Sequence, residues 1–276
     1  MLAIIGGSGL YHLHGVRVLK KETPETPFGT TSAPISVCAV EDHRFLFIPR
    51  HGEFHSVPPS SINFRANVFA LKELGATAVL SVSAVGSLQE EFVPGKFCFV
   101  TDFADFTKKR ANTFFDGCVV HWSPIPLVCP ELREKSSNLV KSSQNLKSAF
   151  VDAEKVVYVC IEGPRFSTPP ETAFYRMIGG DIIGMTACPE VFLIKEAGMG
   201  YLNLAVITDY DCWKEQAVTV QEVMSKFRES IEVVKEFIQQ FIRLFYSTNY
   251  VNKNKLNLEE CYVGGEKPEW FETLRK

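Results

Sequence analysis

The sequence predicts an α/β fold: a single domain with a mixed central β-sheet flanked by helices. Three observations carry this. Short apolar runs alternate along the chain with longer stretches of helical periodicity. Most of the short runs are continuously apolar rather than alternating, as in strands covered on both faces. The 276 residues, 46% of them hydrophobic, are enough to fill one core.

In chain order, Leu2–Ile5, Ser36–Val40, Phe45–Ile48, Ala78–Val82 and Phe97–Thr101 read as strands, followed later by Val156–Ile161, Asp181–Ile183 and Tyr201–Ile207. Between them, Ser61 to Leu74 places Ile62, Ala66, Phe69, Ala70 and Leu74 on one helical stripe, with Gly75 as its C-terminal cap. Pro169 and Pro170 open a helix that Gly179 and Gly180 close, and Pro189 opens another that runs to Gly198. The longest helix carries Val220, Val223, Met224, Phe227, Ile231, Val234, Ile238, Phe241 and Phe245 at gaps of three and four. Asp105 to Pro130 is irregular and rich in aromatic residues and proline, a composition that suits a functional loop or a subunit contact. No internal repeat is present. After Tyr246 the composition turns polar, which divides the chain into a domain over 1–246 and a polar C-terminal tail over 247–276 lying outside the core, with Trp270 and Phe271 as anchors for its end.

Composition narrows the function. The formal net charge is −3, and the longest basic run, Lys108-Lys109-Arg110, reads as a solvated loop, so no nucleic-acid partner is expected. The apolar start, Met1 to Leu10, lacks a basic lead and is broken by glycines, and no run is long enough to span a bilayer; a cytoplasmic protein without membrane contact is expected. The eight cysteines are scattered without a C-x-x-C pair, which points to buried free thiols and to no metal site.

Five segments at strand ends carry donors or acids. Gly6-Gly7-Ser8-Gly9 offers backbone N–H groups and a hydroxyl, as a phosphate loop or merely a tight turn. It is not the G-x-G-x-x-G of a dinucleotide site, which argues against a nicotinamide-dependent oxidoreductase. Pro49-Arg50-His51-Gly52 offers a guanidinium, whose planar fork matches phosphate oxygens or forms an ordinary salt bridge. Ser81 to Gly86 adds Ser83 and backbone amides. In Glu162 to Ser167, Phe166 can stack on a flat base or fill the core. Thr208-Asp209-Tyr210-Asp211 follows a strand, so Asp209 and Asp211 can share a face; neighbouring carboxylates raise one another's pKa, favouring an acid able to share a proton. A metal pair or a solvated turn are the alternatives there.

Taken together, IIGGSGL, TPFG, RHG, NFRANVFALKELG, SAVGSLQEE, FFDG, IEGPRFST, GMTACPE, KEAG and TDYDCWKE resemble the S-methyl-5′-thioadenosine phosphorylases, within the trimeric purine nucleoside phosphorylases. The resemblance runs from about Leu2 to about Tyr246. It implies inorganic phosphate as co-substrate, no cofactor, no metal, and a homotrimer or hexamer. It implies phosphate contacts from Ser8, Arg50, His51, Ser83, Ala84 and Thr186, and Met185 against the ribose. Asp209 and Asp211 would face the base as catalytic acid and partner, with Ser167 nearby and Phe166 packed on the ring. His121 would come from a neighbouring subunit to the 5′ substituent, and Val220 would line a methylthio pocket. Gly184 stands where the family often has asparagine. GMTACPE also resembles enzymes of 6-oxopurine nucleosides; the acid at 209 favours adenine. A non-catalytic nucleoside-binding module is the reading of another class, and retention of both Arg50 and Asp209 speaks against it.

Overall fold

The long strand β5 (Ala78–Ser87) organises the molecule. In this computed structural model, which describes residues 1–7, 15–214 and 218–275, β5 pairs in parallel with β1 (Leu2–Gly6) on one side and β11 (Gly200–Asp209) on the other. Beyond β1 lie β4 (His43–Pro49), then β3 (Ile35–Val40), then the edge strand β2 (Val16–Glu22). The far end of β5, Gly86 and Ser87, pairs antiparallel with β10 (Ile182–Gly184), which continues through β9 (Val157–Cys160) to β7 (Asp102–Asp105). The short strand β6 (Phe97–Phe99) closes on β11. Two half-sheets therefore meet on β5, and the chain ends of β1, β4, β5, β10 and β11 converge at the junction, the position where open α/β sheets hold ligands.

The predicted strands are all present, because their apolar runs are buried on both faces; β1, for example, is wholly buried. Four further strands carry no such run. β2 reads Val-Arg-Val-Leu-Lys-Lys-Glu and is mostly exposed at the sheet edge, where charged side chains are tolerated. β7, β8 (Cys118–Val120) and β12 (Tyr262–Gly265) are three or four residues long and partly exposed. β5 is also longer than Ala78–Val82: Ser83 to Gly86 lie within the strand rather than in a loop beyond it.

The helices α1 (Phe64–Glu73), α4 (Pro169–Met177), α5 (Glu190–Glu196) and α6 (Val220–Ser247) match the periodic segments. α1 begins three residues late because Asn63 accepts the Ala66 N–H at 3.1 Å and caps it there. α6 opens with a capping box between Thr219 and Glu222. Pro130–Ser142 forms α2 and Gln144–Ser148 forms α3, both too polar to show a clear stripe.

The segment after Ser247 is not the detached tail its composition suggests. It forms α7 (Leu258–Cys261), β12, which pairs with β8, and α8 (Phe271–Arg275). Leu258, Phe271 and Leu274 are buried, and the Trp270 ring packs among Phe28, Phe69, Phe114 and Phe115. A few apolar residues spread among many polar ones bury the segment without producing a periodic signal. All eight cysteines are free thiols, six of them buried. Among the described residues no helix is long and apolar enough to cross a membrane.

Candidate active site

At the junction lies a cavity of about 470 Å³. Its lining includes Arg50 and His51 at the end of β4, Ala84 and Gly86 on β5, Met185 and Thr186 after β10, and Asp209 and Asp211 at the end of β11. The groups with anion-binding and acid chemistry, drawn from distant parts of the sequence, thus open onto one space.

Arg50 is buried at the cavity wall and most of its hydrogens are already committed. Nε donates to Glu190 Oε2 at 3.1 Å, Nη1 to the Val82 carbonyl at 2.7 Å, and Nη2 to the Ser81 hydroxyl at 2.8 Å with Glu190 Oε1 and the Ile5 carbonyl slightly beyond. A guanidinium has five N–H donors, so one hydrogen on Nη1 remains for an anion. Of the two readings the sequence left for this fork, the salt bridge is made, to Glu190 and in the interior rather than at the surface, because an unpaired buried cation would be far more costly.

The His51 Nδ1 lies 2.9 Å from the Val57 carbonyl. Burial, helped by the Arg50 charge, lowers its pKa to about 4, so the ring is neutral near pH 7. A carbonyl only accepts, so the hydrogen sits on Nδ1 and leaves Nε2 as an acceptor. His51 suits the hydroxyl of a monoprotonated phosphate rather than a bare oxyanion.

Other predicted contacts are placed differently. Ser8 lies outside the described residues; its neighbour Gly7 lines the cavity. Ser83 does not: its hydroxyl is turned into the sheet, accepting the Asn203 amide at 3.2 Å, because β5 continues through it and alternates its side chains. Ala84 and Thr186 line the cavity as expected. Phe166 and Met185 are at the wall, whereas Ser167 is not, and its buried hydroxyl has no protein partner. His121 sits in a separate groove with Trp122 and Phe192, away from this chain's own cavity. Gly184 is filled from behind: the Tyr158 hydroxyl occupies the space a Cβ would need.

The acid pair is not presented by strand alternation. β11 ends at Asp209, and Asp211 lies in the left-handed region at φ 48°. The turn brings the Asp211 N–H back onto Asp209 Oδ1 at 2.8 Å, while the Asp211 carboxylate accepts from the buried Thr172 hydroxyl. Burial raises the Asp209 pKa; the Thr208 and Asp211 hydrogen bonds oppose this, and the charges of Asp211 and Glu222 add to it. Gly86 makes the seat possible, since a Cβ there would stand 2.7 Å from Asp209 Oδ1.

The remaining wall is apolar. Val220, Val223, Met224 and Phe227, from the first two turns of α6, line it at helical spacing. Val220 is 61% exposed and stands at the mouth.

A family profile described as "Phosphorylase superfamily" matches residues 1–243. The chain belongs to this superfamily. S-methyl-5′-thioadenosine phosphorylase of Thermofilum pendens is 46% identical over 242 residues, 87% of this chain and 90% of that protein. The protein of the same name from Pyrococcus horikoshii is 43% identical over 87% of this chain and 91% of its own. Among solved structures, a methylthioadenosine phosphorylase from an antarctic soil metagenomic library superposes with a TM-score of 0.87 at 36% identity, covering 99% of this chain and 96% of that one. Methylthioadenosine phosphorylase from Schistosoma mansoni in complex with adenine gives 0.85 at 34% identity, over 95% and 98%.

In this phosphorylase several supporting residues carry no local sequence signal. Arg110, read as part of a solvated basic loop, has a buried side chain: Nη1 donates to the carbonyls of Met185 and Cys188, each at 2.7 Å, and Nε to Glu162 Oε1 at 3.0 Å. It pins the loop after β10 to the loop after β9. Glu190, Thr172 and Gly86 likewise act through neighbours distant in sequence, and GMTACPE and SAVGSLQEE, which hold Glu190 and Gly86, were the only pointers to two of them; Thr208, beside Asp209, lies within TDYDCWKE.

Proposed function

We propose that this chain splits S-methyl-5′-thioadenosine with inorganic phosphate, releasing adenine and 5-methylthioribose 1-phosphate. The observation that carries the reading is one cavity with Arg50 at one part of its wall, Asp209 at another and the apolar start of α6 beside them. Phosphate held near Arg50, His51, Ala84 and Thr186 attacks the anomeric carbon as the purine leaves. The sugar passes through an oxocarbenium-like state that the phosphate anion stabilises. Asp209, whose pKa burial raises, donates its proton to the imidazole ring of the departing purine, a contribution of about 10²–10⁴-fold for a positioned acid. Asp211 fixes that carboxyl through its N–H. Met185 covers the ribose and Phe166 the base. Val220, Val223 and Met224 suit a methylthio group, since a 5′-hydroxyl would lie there unpaired at a cost of about 1–3 kcal/mol. Support also comes from the named relatives and from the adenine held by the Schistosoma mansoni enzyme.

The proposed chemistry draws on phosphate and protein groups and calls on no metal or organic cofactor. The same reading makes the protein a cytoplasmic homotrimer or hexamer, with His121 of one chain reaching a neighbour's 5′ pocket. Its six buried free thiols accord with a reducing compartment. The test is release of free base from methylthioadenosine, methylthioinosine, adenosine and inosine, with and without phosphate. Phosphate-dependent release of adenine, preferred with the methylthio substrate, is expected. Preference for the 6-oxopurines, or binding without turnover, would replace this reading.

A further inference from the structure

The Thr208 hydroxyl stands 2.7 Å from Asp209 Oδ2 and 3.1 Å from the Val85 carbonyl. A threonine has one hydroxyl hydrogen, and a carbonyl can only accept. The Thr208 hydroxyl is placed to donate to either acceptor; when Asp209 Oδ2 carries a proton, both contacts are made in full, Thr208 donating to Val85 and Oδ2 donating to Thr208. The second oxygen, Oδ1, accepts from the Asp211 N–H, as a neutral acid still allows.

Resting on the acid role of Asp209 proposed above, we infer that Thr208 is the positioning residue that manages the proton on Asp209. Before the reaction its oxygen accepts from the acid. During it, the C1′–N9 bond breaks with its electron pair passing to the purine, a phosphate oxygen bonds to C1′, and the Asp209 proton moves to the purine imidazole ring. The Thr208 hydrogen then turns from Val85 to the new carboxylate, so one hydroxyl serves both protonation states. The other charged groups around Asp209 are Asp211, in the turn after β11, and Glu222 on α6; β5 and β10 present Gly86 and Ile183, neither ionisable. Among the described residues no cation is found acting on this carboxyl, and its anion is held by the hydrogen bonds of Thr208 and Asp211.

The test uses the full chain in its native assembly, with methylthioadenosine and saturating phosphate. Thr208→Val removes the donor that a carboxylate needs more than a neutral acid does, so kcat is expected to fall roughly 10- to 100-fold. The basic limb of the kcat/KM profile should move to higher pH, with KM for phosphate unchanged. Thr208→Ser should restore both. An unchanged kcat, a basic limb unmoved or moved to lower pH, or a serine variant as impaired as valine would each overturn the inference. A wild-type chain that releases no adenine with phosphate would instead overturn the underlying reading.

Discussion

Arg50 and Glu190 form a buried ion pair in which the Arg50 Nε lies 3.1 Å from Glu190 Oε2, each side chain only 2% exposed. They come from the end of β4 and the start of α5, 140 residues apart. The pair joins the phosphate-facing cation to the core, and it sets the first prediction. Glu190→Gln keeps the shape and removes the charge, leaving Arg50 uncompensated. A loss of about 3–5 kcal/mol is expected, read as a drop in thermal midpoint of roughly 6–20 °C. Added phosphate should recover more of the midpoint in this variant than in the wild type.

Asp209→Asn removes the acid while leaving an amide of the same shape. Its kcat for methylthioadenosine should fall about 10²–10⁴-fold with little change in thermal midpoint. Steady-state kinetics beside a melting curve check both halves. Undiminished turnover would take Asp209 out of the reaction.

Gly86→Ala tests the seat of the acid without touching the acid. Its Cβ would press on Asp209 Oδ1, on Ile183 and on the Asp211 backbone. The carboxyl must shift, so kcat should drop by at least about tenfold while phosphate KM stays near its wild-type value. Full activity in the Gly86→Ala variant would show that the carboxyl position is not critical.

His51 predicts a pH dependence of stability. Its native pKa is depressed to about 4 from an ordinary 6.5, so between those values the unfolded chain binds the extra proton. Stability from this site is therefore fully present above pH 6.5 and is lost as pH falls towards 4. His51→Gln should flatten that part of a melting-temperature profile, between pH 4 and 6.5. A profile as steep as wild type would show the titration lies elsewhere.

Met224→Ser should shift substrate choice. A polar group on the α6 wall weakens the fit of a methylthio substituent and offers a 5′-hydroxyl a partner. The kcat/KM ratio of methylthioadenosine to adenosine should fall about 10–200-fold, measured by competition between the two substrates. An unaltered ratio would place the 5′ group away from α6.

Much of the scaffold was legible because it rests on local patterns. Continuous apolar runs such as Leu2–Ile5 announce buried strands, and the spacing from Val220 to Phe245 announces a helix with one buried face. Motif order brought Arg50, Thr186, Phe166, Met185 and Asp209 into one list, and the cavity holds all five. Short or edge strands, β2 and β12 among them, were not legible, since their residues obey no periodicity. The terminal segment misled for the same reason: Leu258, Phe271 and Leu274 are isolated apolar residues in a polar stretch, and only packing shows that they are buried.

By itself the sequence determined the alternation of buried strands and amphipathic helices, because this follows from composition and spacing along the chain, while the resemblance of its motifs pointed to the family and to the residue types of the site. Tertiary structure decided which way each polar group faces. It turned Arg50 onto Glu190, Ser83 onto Asn203, Arg110 into the loops it pins, and Asp209 onto Thr208 and Asp211. The physical reason is that a buried donor or charge must find a partner in space, and nothing local in the chain says which distant neighbour that will be.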